Sequence, residues 1–112
     1  KSAAPSEKSE DVRKRVVKAR EIQTKRYTNH EGVFSNAQMS SSMLRKICVI
    51  DDTAQLLLKK AMEKLNLSAR AYDRILKVSR TIADLSDSES IKTEHLAEAI
   101  QYRSLDREHW GE

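Results

Sequence analysis

The side chains best suited to chemistry in this chain are polar residues that recur at helical spacing between positions 70 and 81. Intervals of four, three and four residues place them on one face of a helix: Arg70, Arg74, Lys77 and Thr81. Arginine presents a rigid fork of donors that matches the oxygens of phosphate or carboxylate. The face therefore predicts an anionic partner. The alternative is a solvated helix surface, on which Asp73 and Asp84 pair locally with the basic side chains.

The other side of this segment predicts how the arginines are held. Over residues 67 to 87, apolar side chains recur at helical spacing: Ala71, Ile75, Val78, Ile82 and Leu85, extended by Tyr72, Leu76 and Ala83. So wide an apolar arc indicates a helix that is packed by several neighbours. Ser68 is a suitable N-cap, because its hydroxyl can accept from a free amide of the first turn. We therefore predict a central helix with Arg70 exposed near its start.

The composition favours helices throughout. The chain has 112 residues with 2 Gly, 1 Pro and 4% aromatics, and its 38% hydrophobic content supports one small core. We predict an all-α fold, a small bundle of four main helices with a possible short fifth, over residues 9 to 108. Residues 1 to 8 are predicted to form a disordered linker and residues 109 to 112 a frayed tail, although Trp110 could fold back.

The remaining helices are predicted from their apolar stripes and caps. Residues 10 to 26 form the first, with inward Val12, Val16, Ala19 and Gln23, and residues 41 to 48 form the short one, with inward Met43, Leu44 and Ile47. Asp52 with Gln55 resembles a capping box for a helix to about residue 65, and Thr93 is predicted to cap the last helix, which has inward Leu96, Ala97, Ala99 and Ile100. In the irregular segment before the short helix, three residues could anchor the loop: Val33, Phe34 and Met39.

The predicted core combines the inward stripes of the three longer C-terminal helices. It consists of Leu57, Leu58, Ala61, Leu65, Ile75, Val78, Ile82, Leu96 and Ile100. Leu56 falls on the opposite, polar side of its helix, where it could touch a partner subunit.

Several kinds of chemistry are excluded by motif and spacing. The phosphate-binding pattern G-x-x-x-x-G-K-S/T is absent, so we expect no catalytic residues and no ATP hydrolysis by this segment alone. His30, His95 and His109 are too scattered for a metal site, and none is predicted. The single cysteine, Cys48, sits in an apolar run and is predicted to be a small buried hydrophobe. No run suits a membrane span or a signal peptide.

Three strings of the sequence, VRKRVVKAREIQTKRY, LNLSARAYDRILKVSRTIADL and HLAEAIQYRSLDRE, carry a family resemblance over roughly residues 10 to 108. Together they resemble the C-terminal helical domain of magnesium-chelatase-related AAA+ ATPases, and the competence protein ComM type in particular. The resemblance implies a lid that follows a nucleotide-binding core. Its Ser-x-Arg motif corresponds to Ser68-Ala69-Arg70, which makes Arg70 a sensor-2-type arginine that touches nucleotide phosphates. Arg74 is a weaker second candidate, and we expect Arg80 to make an interhelical or interdomain pair.

The same resemblance implies the setting of the whole protein. ATP and Mg2+ would be its cofactors, with neither bound by this segment alone. Its partners would be its own AAA+ core and neighbouring subunits of a ring, expected to be a hexamer, and DNA is a possible further partner. We expect a cytoplasmic DNA-processing motor of the competence or branch-migration type. Whether Arg70 would serve its own subunit's nucleotide or a neighbour's stays open.

Two other functions are compatible with the residues. The first predicted helix is rich in Lys and Arg, so the chain could be a free-standing nucleic-acid-binding module. Its net charge is only +4, however, and its 21 basic residues are interleaved with 17 acidic ones. The third possibility is a helical scaffold that binds a partner protein.

Overall fold

The computed structural model describes residues 9 to 105, and all regular secondary structure in this range is helical. Its α-helices run Ser9–Arg26 (α1), Ser41–Ile47 (α2), Asp52–Leu65 (α3), Ala69–Leu85 (α4) and Thr93–Leu105 (α5). A short 3-10 helix, Asn36–Gln38, lies between α1 and α2. The all-α bundle predicted from the sequence is therefore confirmed. The predicted linker at residues 1 to 8 and the tail with Trp110 lie outside the described residues.

Polar caps set the starts of α2, α3 and α4. Ser40 accepts a hydrogen bond from the Met43 amide at 3.2 Å, and Ser68 accepts one from Ala71 at 3.2 Å, as predicted for Ser68. The cap of α3 is Asp51, whose Oδ1 accepts from Ala54 N at 2.8 Å. The prediction of Asp52 as the cap was wrong by one residue. Asp51 has the extended backbone of a cap, whereas Asp52 is already helical.

The start of α5 also differs from the prediction. Thr93 is the first residue of α5, so it does not occupy the cap position, which precedes the helix. At this start, the backbone amide of Lys92 donates to Nδ1 of the buried His95 at 2.9 Å. The imidazole thus satisfies a backbone donor at the helix start, a role usually filled by a carboxyl or amide side chain at this position.

The helix α4 lies at the centre of the bundle, in contact with α1, α2, α5 and the 3-10 helix, while α3 packs against α5. Four of the predicted core residues are buried: Leu58, Ile75, Ile82 and Leu96. The other five are only partly buried: Leu57, Ala61, Leu65, Val78 and Ile100. A domain of this size has a high surface-to-volume ratio, so few side chains lie far from solvent.

Three side chains that were predicted to face the core or to anchor the loop are exposed, so these predictions were wrong. Val12 is 39% exposed, and Ala19 is the one residue of α1 that is buried. Ala97 is exposed on α5. Phe34 is 74% exposed, while the buried Met39 and the half-buried Val33 anchor the loop. Leu56 is exposed, as predicted.

No helix between residues 9 and 105 combines the length and the apolar character that a membrane crossing requires.

Candidate functional site

The candidate site is built on α4, whose ends are fixed by local hydrogen bonds. Just before it, Asn66 adopts a left-handed backbone (φ 53°) that ends α3, and Leu67 N donates back to Met62 O at 3.0 Å. At the far end, Asp87 is left-handed (φ 57°) and Ser88 N donates to Ala83 O at 2.8 Å. These terminal hydrogen bonds define where α4 begins and ends, and therefore which residue occupies its first turn.

Arg70 lies in the first turn of α4, two residues after the Ser68 cap, and its side chain is exposed. Among the side chains that the structure describes, its guanidinium has no ion-pair or hydrogen-bond partner. Its position at the positive end of the helix dipole adds to the local attraction for anions. The structure therefore presents Arg70 to solvent, as the sequence predicted.

The rest of the predicted polar face is only partly open. Arg74 is exposed one turn further along. Lys77 and Thr81 are half-buried, because the loop that carries the 3-10 helix packs beside them. Lys77 Nζ donates to Ala37 O at 3.3 Å, and Thr81 Oγ1 accepts from Asn36 Nδ2 at 3.0 Å. Only the beginning of the face is thus presented to a ligand in the manner predicted.

The other charged face of α4 forms a buried network around Asp84. The Asp84 side chain has no exposed surface, so its prediction as a surface residue was wrong. Its Oδ1 accepts from Arg26 Nη2 at 2.7 Å and from Arg80 Nε at 3.2 Å. Its Oδ2 accepts from Arg26 Nη1 at 2.9 Å and from Asn36 Nδ2 at 2.9 Å. One carboxylate therefore joins α1, α4 and the loop between α1 and α2.

Arg80 is buried, and the hydrogen bonds of its side chain stay within α4 and the turn that follows it. Besides Asp84, it donates from Nη2 to Ser88 O at 2.8 Å and from Nη1 to Glu89 O at 3.0 Å. The expected interhelical or interdomain pair is therefore replaced by a direct pair inside α4. The same side chain also satisfies two carbonyls of the turn between α4 and α5, which would otherwise be costly to bury.

Tyr27 and Asn36 complete the network and were not singled out from the sequence. Tyr27 Oη donates to Asn36 Oδ1 at 2.6 Å, and Asn36 N donates to Gln23 Oε1 at 3.0 Å. The hydrogen bond to Asp84 raises the pKa of Arg26, and burial raises the pKa of Tyr27. No local pattern marks these residues, because their partners lie on other elements.

A cleft of about 810 Å3 opens beside the first turn of α4, between α2, α3 and α4. It is lined in part by Cys48, Met62 and Tyr72, but Arg70 is not among its lining residues. Burial raises the pKa of the Cys48 thiol to about 11, so the thiol is protonated at neutral pH. This confirms the prediction that Cys48 is a small buried residue, and it makes the cleft unsuited to thiolate chemistry.

The basic surface of α1 is partly neutralised. Lys18 Nζ lies 2.8 Å from Asp87 Oδ2, and Lys14 Nζ lies 3.7 Å from Glu10 Oε2. Both pairs are exposed, so each is worth about 0–1 kcal/mol. Across residues 9 to 105, no three His, Cys, Asp or Glu side chains come together as potential metal ligands.

Comparison with known proteins places the chain in a family. Residues 6–103 match the family model described as magnesium chelatase, subunit ChlI C-terminal. The Competence protein ComM of Haemophilus influenzae is 46% identical over 101 residues, a match that covers 90% of this chain and 19% of that protein. The uncharacterized protein YifB of Escherichia coli is 40% identical over 107 residues, covering 96% of this chain and 20% of that protein.

A third, less similar relative is matched over a similar share of its length. An uncharacterized protein of Mycobacterium bovis is 36% identical over 102 residues, covering 91% of this chain and 20% of that protein. The chain thus spans about a fifth of the length of these curated relatives. Because the family model covers most of the chain, from before the start of α1 into the last turn of α5, the chain belongs to the family of magnesium chelatase subunit ChlI C-terminal domains.

Proposed function

We propose that this chain is the lid of a magnesium-chelatase-like AAA+ ATPase and that Arg70 binds the phosphates of the nucleotide. The observation that carries the proposal is the difference between the arginines of the domain. Arg26 and Arg80 are held by Asp84, whereas Arg70 is exposed and has no partner among the described side chains. An arginine in this state, on a helix that is fixed at both ends, is available to an anion from outside the domain.

The donor chemistry of Arg70 fits a nucleotide phosphate. Its guanidinium can donate two parallel hydrogen bonds to phosphate oxygens. The bound nucleotide, with Mg2+, supplies the phosphoryl chemistry, and the remaining ligands come from the ATPase core. In this arrangement Arg70 stabilises negative charge on the phosphates and links their presence to the position of the lid. Arg74 is the weaker candidate on the same face.

The activity of the whole protein is also a proposal, and the relatives support it. One relative is named as a competence protein, and we propose that the whole protein is a cytoplasmic, ring-forming motor that processes DNA. Arg70 then acts on the nucleotide of its own subunit or of a neighbouring subunit in the ring. When the lid changes its position relative to the ATPase core, we expect the bundle to move as one body, because the Asp84 network ties α1 to α4.

The test is steady-state ATP hydrolysis by the full-length protein. Arg70→Ala should lower turnover by about 10²-fold or more, as for other arginines and donors that meet developing charge on transferred groups. Arg70→Lys should restore part of the activity, because lysine offers a point charge instead of a fork. Arg74→Ala should do less damage. Arg13→Ala, at an exposed arginine on α1, is the matched control and should hydrolyse ATP at the wild-type rate.

Folding and assembly have to be checked for each variant. Because Arg70 is exposed, Arg70→Ala should change the stability of the isolated domain by no more than about 0.5 kcal/mol. Ring assembly is followed by size-exclusion chromatography. If assembled Arg70→Ala hydrolyses ATP as fast as the wild type, Arg70 belongs to the solvated surface and its role in nucleotide binding is wrong.

A further inference from the structure

The connection between α3 and α4 consists of residues 66 to 68 and contains one unusual backbone conformation. Asn66 is left-handed, with φ 53° and ψ 53°. A residue with a Cβ rarely adopts this conformation, and asparagine is among the few that tolerate it. Because the Asn66 side chain is exposed, a substitution at this position removes no core packing. The contribution of Asn66 to the fold is therefore its backbone conformation.

The left-handed residue reverses the chain at the end of α3. The amide of Asn66 donates to Glu63 O at 3.4 Å, and the amide of Leu67 donates to Met62 O at 3.0 Å. Such hydrogen bonds are typical of a helix end that closes on a left-handed residue. The Leu67 side chain is half-buried and packs against the core of the bundle. The direction in which the chain enters α4 is thus fixed at residues 66 and 67.

The first turn of α4 follows directly from this reversal. Ser68 accepts from Ala71 N at 3.2 Å through its hydroxyl and from Tyr72 N at 3.1 Å through its carbonyl. Arg70 comes four residues after Asn66 and lies inside this hydrogen-bonded turn. A change of the backbone dihedral angles at Asn66 therefore displaces the Ser68 cap and Arg70 together.

We propose that Asn66 is a positioning residue for Arg70. Its left-handed backbone holds the first turn of α4 at the place where the Arg70 guanidinium meets the nucleotide phosphates, so the proposal rests on the function proposed above for Arg70. Stabilisation of developing charge depends on close placement of the donor, and a displacement of about 1 Å can cost about 10²-fold in rate. Asn66 thus affects ATP hydrolysis only through the position of Arg70.

The test is steady-state ATP hydrolysis by the full-length protein with substitutions at Asn66. Valine is β-branched and disfavours the left-handed conformation, whereas glycine adopts it readily. Asn66→Val should lower kcat by about tenfold or more, because it displaces Arg70. Asn66→Gly should keep kcat at the wild-type value. Asn66→Ala, with its smaller side chain, should fall between the two, and it provides the comparison if the valine variant does not fold.

Asp87→Val is the matched control for backbone strain. Asp87 is also left-handed (φ 57°) and exposed, but it follows the opposite end of α4. Leu85 lies fifteen residues after Arg70, which corresponds to about 22 Å of helix, so strain at Asp87 is remote from Arg70. Asp87→Val also loses the pair with Lys18 and should still hydrolyse ATP at the wild-type rate.

Thermal unfolding and size-exclusion chromatography establish that each variant is folded and assembled. An equal loss of kcat in Asn66→Val and Asp87→Val would mean that destabilisation, and not the placement of Arg70, lowers the rate. That result would overturn the proposal. A loss of kcat in Asn66→Gly as large as in Asn66→Val would overturn it as well, because glycine keeps the left-handed backbone.

A double substitution shows whether Asn66 acts through Arg70. Asn66→Val combined with Arg70→Ala should be as slow as Arg70→Ala alone, because the group that is misplaced is already absent. Additive losses would overturn the positioning role. If Arg70→Ala is slow and assembled Asn66→Val is as fast as the wild type, only the positioning role is wrong. If Arg70→Ala is as fast as the wild type, the function proposed for Arg70 and the positioning role are both overturned.

Discussion

Replacement of Asp84 tests how strongly the buried charge network stabilises this domain. The Asp84 side chain has no exposed surface, and it accepts four hydrogen bonds from Arg26, Arg80 and Asn36. Asp84→Ala removes the carboxylate but leaves both guanidinium groups in place. The side chains of Arg26 and Arg80 are only 18% and 5% exposed, so water can replace little of what is lost.

The expected magnitude follows from this burial. Removing one partner of a buried ion pair costs about 3–5 kcal/mol, because the other charge is left uncompensated. A domain of this size has a total stability of about 5–15 kcal/mol. Asp84→Ala should therefore lower the midpoint of thermal unfolding by about 12 °C or more. Asp84→Asn keeps the shape and some of the acceptor capacity, so it should fall between the alanine variant and the wild type.

Urea unfolding followed by far-ultraviolet circular dichroism provides the measurement. Asp73→Ala is the matched control, because Asp73 lies on the same helix, is half-buried and, among the residues that the structure describes, accepts only from Ser41 Oγ at a distance of 3.4 Å. Its cost should stay within about 0.5 kcal/mol. Asp87→Asn, which removes the charge of the exposed pair with Lys18 but keeps a residue type that tolerates the left-handed backbone, should cost at most about 1 kcal/mol.

A double-mutant cycle separates the ion pair from general packing. Arg26→Met combined with Asp84→Ala should cost less than the sum of the two single changes, because the single Asp84 variant leaves a charge that the double variant removes. If Asp84→Ala costs no more than Asp73→Ala, or if the two changes simply add, the network contributes little stability and the reasoning from burial is refuted.

Three further predictions concern other parts of the molecule. Ile75→Asp should unfold the domain, since the Ile75 side chain is fully buried and an unpaired carboxylate there costs several kcal/mol; an unchanged thermal midpoint would contradict the core assignment. Burial raises the pKa of Cys48 from 9.0 to about 11, so its stabilising contribution is complete below pH 9 and is lost as the pH rises through 11; the stability advantage of the wild type over Cys48→Ala should shrink across that window in urea titrations. Fluorescence anisotropy should show only weak, salt-sensitive binding of single-stranded and duplex DNA, given a net charge of +4 and partly neutralised lysines on α1; submicromolar binding that survives about 200 mM salt would favour a nucleic-acid-binding module instead.

Local features of the sequence were enough to predict the helices and the exposure of Arg70. Helical periodicity and cap residues act over four or five neighbouring positions, so the bounds of α4 and its Ser68 cap could be predicted without the fold. The cap of α3 was predicted one residue too late, because Asp51 and Asp52 are adjacent and carry the same side chain. Only the backbone conformation decides which of the two is the cap.

Tertiary structure alone decided which charged side chains are buried. Arg26 and Asp84 are 58 positions apart, and Asn36 and Asp84 are 48 apart, so no periodicity within one helix can reveal that they meet. The docking of α1 and its following loop onto α4 excludes water from Asp84 and Arg80, while Arg70 on the same helix stays open. The sequence by itself therefore determined the helices and the Arg70 face. The fold determined that one arginine of α4 is internal and another is available to a ligand, because burial depends on which elements pack together and not on residue type.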